Sequence, residues 1–138
     1  MLIHLKRNER LFINGAVIRL DRRGTIELMN DAQFLLENHI MQPEDASTPL
    51  RQLYFVVQTM IIDPQNAHLT GALFRAQTVQ IEKHAKSQNY LQLIQSVREL
   101  TDRENYFDAL KVLRKSFDVE DELIHRSENS LSAVTRAA

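Results

Sequence analysis

Arg10-Leu11-Phe12-Ile13-Asn14-Gly15-Ala16-Val17-Ile18-Arg19 decides how the first third of this chain folds. Leu11 and Ile13 alternate with polar or larger neighbours, as do Ala16, Ile18 and Leu20. The period of two places each set on one side of a strand. Between them stands Asn14-Gly15, the pair that best tolerates positive φ at both central positions of a two-residue hairpin turn. The alternation extends in both directions. Leu2 to Lys6 directs Ile3 and Leu5 to one face, and Asp21-Arg22-Arg23-Gly24 reads as the next turn. Thr25 to Met29 forms another strand, Asn30-Asp31 another turn, and Gln33 to Leu36 a last short strand. Residues 1–42 therefore read as a small antiparallel β meander with one apolar face. So small a sheet needs a partner layer to be stable.

That layer follows in the sequence. Thr48-Pro49 combines a capping hydroxyl with proline at the first helical position. Leu50, Leu53, Tyr54, Val57, Met60 and Ile61 then fall on one helical stripe, which Asp63-Pro64 ends. A second helix is predicted from about Gln65 to Ser87, with Leu69, Leu73, Ala76 and Val79 as its core stripe. A third, capped by Asn89, carries Tyr90, Leu93, Ile94, Val97 and Leu100. A fourth, capped by Asp102, carries Tyr106, Leu110, Leu113 and Phe117. Strands first and helices second imply an α+β fold, with the meander packed on a bundle of about four helices. The reading is one domain over 1–126, the helical part running from 43, with a disordered tail over 127–138 where periodicity stops.

Composition narrows the function. With 138 residues, 43% hydrophobic and 25% charged, the chain is long enough for a real core. It has no cysteine, which excludes disulfides and thiolate chemistry. Charges at Lys6 and Arg7 interrupt the first apolar run, and no stretch approaches the roughly 20 apolar residues of a membrane span. A cytoplasmic protein without a membrane anchor is expected. The five histidines are scattered, with no pair at metal-ligand spacing, and no phosphate loop or nucleophile motif is present. No enzyme activity, metal or cofactor is expected.

Charge is unevenly distributed. Lys6, Arg7, Arg10, Arg19, Arg22 and Arg23 face only Glu9 and Asp21 within the first 23 residues, although the whole chain carries −1. Cations at turns and strand ends can reach phosphates, so these six are the candidate RNA-binding residues. Phe12 could offer a stacking ring on an outer face, and core packing is its commoner role. The helical half is locally acidic, with Asp102, Glu104, Asp108, Asp118, Glu120, Asp121 and Glu122 against Arg103, Lys111, Arg114 and Lys115. Tyr54 and Phe55 point about 100° apart on their helix. They are candidates for a protein-interaction surface, or for burial in a helix covered on two sides. Unpaired strand edges could join two copies, so a homodimer is among the expected partners.

Glu9 to Ile18 resembles the opening of the flagellum biosynthesis repressor FlbT family. The likeness continues in Leu28-Met29-Asn30-Asp31-Ala32 and Ile40-Met41-Gln42-Pro43-Glu44. It extends through Thr48-Pro49, Leu53-Tyr54-Phe55, Gln58, Met60 and Asp63-Pro64, and more loosely to Tyr106–Arg114. It spans roughly residues 1–125. The resemblance implies a post-transcriptional regulator that associates with the 5′ untranslated region of flagellin mRNA. Such a protein would repress translation or promote mRNA degradation, alongside a small helical partner, FlaF. Met1-Leu2-Ile3, Lys6-Arg7, Glu9 and Ile13-Asn14-Gly15 also look like the first strands of CsrA, a translational repressor. In that family the basic pair at this place contacts RNA, which ranks Lys6 and Arg7 first here. The second basic strand of CsrA has no counterpart in Gln33–Ile40. The alternative reading is an adaptor that binds FlaF or flagellin through the helical half and acts on mRNA indirectly.

Overall fold

The computed structural model describes residues 1–137, with side chains through residue 126. The hairpin forms where Asn14-Gly15 places it. Asn14 has φ 48° and Gly15 φ 80°, so both central residues of the turn are left-handed. Strands β2 (Arg10–Ile13) and β3 (Ala16–Arg19) pair from Ile13 opposite Ala16 to Arg10 opposite Arg19. The hairpin tip rests on the loop that follows the first helix. A methyl group at Gly15 would lie 3.6 Å from Cδ of Pro64.

The strands are antiparallel throughout, and they divide between two sheets. Strand β5 (Phe34–Leu36) joins the other edge of β2 and completes a three-stranded sheet in the order β3-β2-β5. Strand β1 (Leu2–Leu5) skips the hairpin and pairs with β4 (Gly24–Glu27). The three-stranded sheet is the middle layer of the molecule. Leu11 and Ile13, with Phe34 and Leu36, pack on Ile3, Leu5 and Ile26 of the two-stranded sheet. Phe12 and Leu35 face the opposite way, into the helical core. The ribbon thus has two apolar faces rather than one. Strand β3 is exposed along its length, Ala16 and Ile18 included, because it forms the open edge of its sheet.

Helix α1 (Pro49–Ile62) lies at the centre of the helical layer, and Leu50, Leu53, Tyr54, Val57, Met60 and Ile61 are all buried as the sequence stripe requires. Val56 is buried too, because α1 packs on strands and on other helices at once. Its first turn is held from a distance. The Leu50 N–H donates to a carboxylate oxygen of Glu120 at 2.8 Å, and the Thr48 hydroxyl donates to the same carboxylate. A negative group at the N-terminus of a helix is favoured by the helix dipole. Next to it, Arg51 grips Asp121 with two bonds of 2.7 and 2.9 Å and lies 4.7 Å from the centre of the Phe117 ring. Asp121 is held below the usual carboxylate range by the hydrogen bond from Arg51.

Three helix features differ from the sequence reading. Helix α2 (Ala67–His84) buries Phe74 and Thr78, and the expected core stripe of Leu69, Leu73, Ala76 and Val79 faces outward. The helix carries two apolar stripes, and the larger Phe74 ring takes the inner side. Helix α3 (Gln88–Asp102) is capped by Ser87, which accepts from the Tyr90 N–H at 3.0 Å, and Asn89 lies inside it. Asp102 ends α3 rather than capping the next helix. Glu104, with φ 58°, turns the chain into α4 (Tyr106–Ala137). The expected disordered tail over 127–138 falls outside the residues described with side chains.

The start of α4 is capped from the strand region. Gln33 accepts the Tyr106 and Phe107 N–H groups at 2.6 and 3.3 Å and donates to the Glu104 carbonyl. Phe34 stacks on Phe107 with ring centres 5.7 Å apart. Gln33→Ala removes the partners of two helix N–H groups, and a loss of about 1–2 kcal/mol in urea unfolding is expected. Wild-type stability in that variant would contradict the capping role.

Candidate nucleic-acid interface

Strand register brings the six candidate cations to one end of the ribbon. Leu5 lies opposite Gly24 and Arg10 opposite Arg19, so the turn after β1 and the turn after β3 share that end. A hydrogen bond from the Asn8 N–H to the Leu20 carbonyl, 2.9 Å, ties the two turns together. Asn8 adopts φ 65°, and the turn around it is closed by Glu9. The Lys6 N–H donates to the Glu9 carboxylate at 3.0 Å, and the Glu9 N–H donates to the Lys6 carbonyl at 3.1 Å. Lys6, Arg7, Arg10, Arg19, Arg22 and Arg23 are all exposed. Cations separated by up to 17 positions in the chain become one patch.

The patch contains its own conflict. Arg10 and Arg19 are directly opposite across an antiparallel pair, an arrangement that destabilises a sheet. Glu37 offsets it. Its carboxylate receives Arg10 Nε at 2.7 Å and the Arg10 N–H at 3.3 Å. These bonds hold the Glu37 carboxyl below its usual range, the side-chain hydrogen bond being the main cause. Arg10 also lies 5.7 Å from the centre of the Phe12 ring. Among the described residues, the other five cations form no ion pair. With Glu9 used inside its turn and Glu37 on Arg10, the patch keeps a clear excess of available positive charge. Its chemistry suits phosphate oxygens rather than base edges.

Aromatic candidates occupy other places. Phe12 packs on the helical core, so it offers no free stacking face. Tyr54 is 2% exposed, and its hydroxyl donates to the His39 carbonyl at 2.6 Å. Its ring meets Phe117 edge-on, and burial pushes its pKa up. Phe55 is half-buried on α1. Sequence reading missed Glu37 and Asn8, whose roles depend on partners 27 and 12 positions away. Among the described residues no group of three or more metal-ligating side chains converges. No helix among them is long and apolar enough to cross a membrane.

The model of the family described as "Flagellar protein FlbT" matches residues 1–124. A Rhizobium leguminosarum bv. trifolii protein named "Probable flagellum biosynthesis repressor protein FlbT" is 42% identical over 126 residues, 91% of this chain and 85% of the relative. A Brucella ovis protein of the same name is 45% identical over 122 residues, 88% of this chain and 80% of the relative. No solved structure matches.

The Arg10–Glu37 pair sets a pH dependence. Because the folded carboxyl titrates below its unfolded value, the contact stabilises above the ordinary carboxylate range and is lost as pH falls through the lowered value. Carbon-detected NMR titration should place the Glu37 midpoint below the usual 4.5. Arg10→Ala should return it toward that value, and an unmoved midpoint would exclude the pair in solution.

Proposed function

The chain belongs to the FlbT family of flagellar proteins. From that premise we propose that it is a post-transcriptional repressor of flagellum biosynthesis. In this reading it acts in the cytoplasm by associating with the 5′ untranslated region of flagellin mRNA, and it lowers translation or shortens the lifetime of the message. The relatives' names support the repressor role. One observation of the chain itself carries the RNA part: two turns distant in sequence are joined by the Asn8–Leu20 hydrogen bond and present exposed cations together.

Physical chemistry fills in the mode of binding. A single-stranded leader presents phosphates at intervals that flexible Lys and Arg side chains can follow, and each neutralised phosphate releases counterions. The patch lacks a free aromatic platform, so affinity would come chiefly from the backbone. Selectivity for one leader would then rest on RNA shape, in which loops and bulges position phosphates differently from a regular helix. The mechanism needs no catalytic group: occupancy of the leader is enough to compete with translation.

Binding of the flagellin leader, measured by fluorescence anisotropy across a salt series, tests the reading. Lys6→Ala with Arg7→Ala, and Arg22→Ala with Arg23→Ala, should each weaken binding about tenfold or more. Each lost phosphate contact should flatten the log–log salt slope by about 0.7. Unchanged affinity in both folded double variants would refute the proposed surface.

A further inference from the structure

Helix α2 is apolar on two sides although only one is covered. Its inner side buries Phe74 and Thr78 against the core. On its outer side Leu69 is 70% exposed, Leu73 51% and Val79 46%, with Ala76 between them. A helix apolar around most of its circumference is normally enclosed. Helix α4 shows the same feature nearby, with Val119 58% and Leu123 43% exposed. The two helices border one open groove of about 960 Å³, floored by Ile81 and Tyr90 and edged by Ala76 and Leu123. Scattered single apolar residues on a surface are ordinary, whereas two adjoining stripes beside a groove mark an interaction site.

Charge indicates what covers it. The only carboxylate of α2 is Glu82, which holds Arg98 at 2.6 Å. Lys83 and Lys86, at the groove end of α2, are exposed and in no ion pair among the described residues. Placing α2 against α2 of another copy would therefore set cations beside cations. Along α4, by contrast, Asp118 and Glu122 run next to Val119 and Leu123, one step apart on the same helix. Glu122 is bridged only to Arg126 of its own helix, and Asp118 is exposed. The apolar stripe of α2 with its lysines matches the apolar stripe of α4 with its carboxylates.

We propose that this face binds a second copy of the chain, with α2 of each protomer lying along α4 of the other about a two-fold axis. Both stripes are then covered twice over, and each α2 lysine end faces an acidic α4, as an isologous interface requires. The interaction is independent of the RNA reading and leaves the basic end of the ribbon free. It also differs from pairing through the open edge of β3.

Sedimentation velocity on the full chain tests it. Between about 1 and 200 μM the mass should rise from 16.0 kDa toward twice that value. Leu73→Glu should weaken association more than tenfold with an unchanged circular dichroism spectrum. Leu69→Glu, at a more exposed site, serves if the first variant does not fold. Two charge variants then read the register. Lys83→Glu with Lys86→Glu makes both helices acidic at the interface, and Asp118→Lys with Glu122→Lys makes both basic. Each alone should remain monomeric, and an equimolar mixture should associate, because every contact between the two variants is complementary. A monomer at all concentrations would overturn the proposal. So would a dimer indifferent to Leu73→Glu, or a mixture that fails to associate.

Discussion

Strand β2 is shared between two cores, and the rest of the molecule depends on it. Leu11 and Ile13 complete the small core against β1 and β4, while Phe12 reaches the helical core with Leu35. Because side chains alternate strictly along a strand, a slip of one residue would exchange these faces. Phe12 would enter a space shaped for Leu11, and both cores would lose their closure. The register is therefore fixed from both sides, and Arg10 is held opposite Arg19. Charge at the end of the ribbon is a consequence of packing in its middle.

The strand and helix regions are joined by polar bonds as well as apolar surface. Gln33 caps α4 from the strand side, and Glu120 on α4 supplies the carboxylate at the start of α1. Each replaces a local cap by one roughly 70 positions away. Helix ends that depend on distant partners form only when the whole domain is assembled, which favours cooperative folding. The Gln58 side chain adds a further clasp, accepting the Met41 N–H and donating to the Met41 carbonyl, both at 2.8 Å. It fixes the extended segment between β5 and α1.

What could be read in the sequence was what short-range chemistry determines. Asn14-Gly15 specified its own turn, Thr48-Pro49 its helix start, and the α1 stripe its buried side. The gathering of strands before helices was likewise enough for the α+β class. The remainder depended on partners far away. Nothing local tells β1 to pass over the hairpin and pair with β4, because that choice is made by Ile3 and Leu5 meeting Leu11. In α2 two apolar stripes compete, and periodicity cannot rank them; the Phe74 ring decides once the neighbouring helices are present. The six cations were visible as a cluster in sequence, but their common end depends on strand register. Glu37, the acid that holds Arg10, carries no local mark at all.

The account rests on one claim: packing of a shared strand gathers a phosphate-binding surface at one end of the ribbon. Crosslinking of the protein to RNA in cells, with the crosslinked peptides mapped by mass spectrometry, tests it most directly. Crosslinks concentrated in the two turns, residues 6–10 and 19–23, on flagellin leader RNA are the expected result. Crosslinks confined to the helices, or none on flagellin RNA while the protein is expressed and folded, would contradict it.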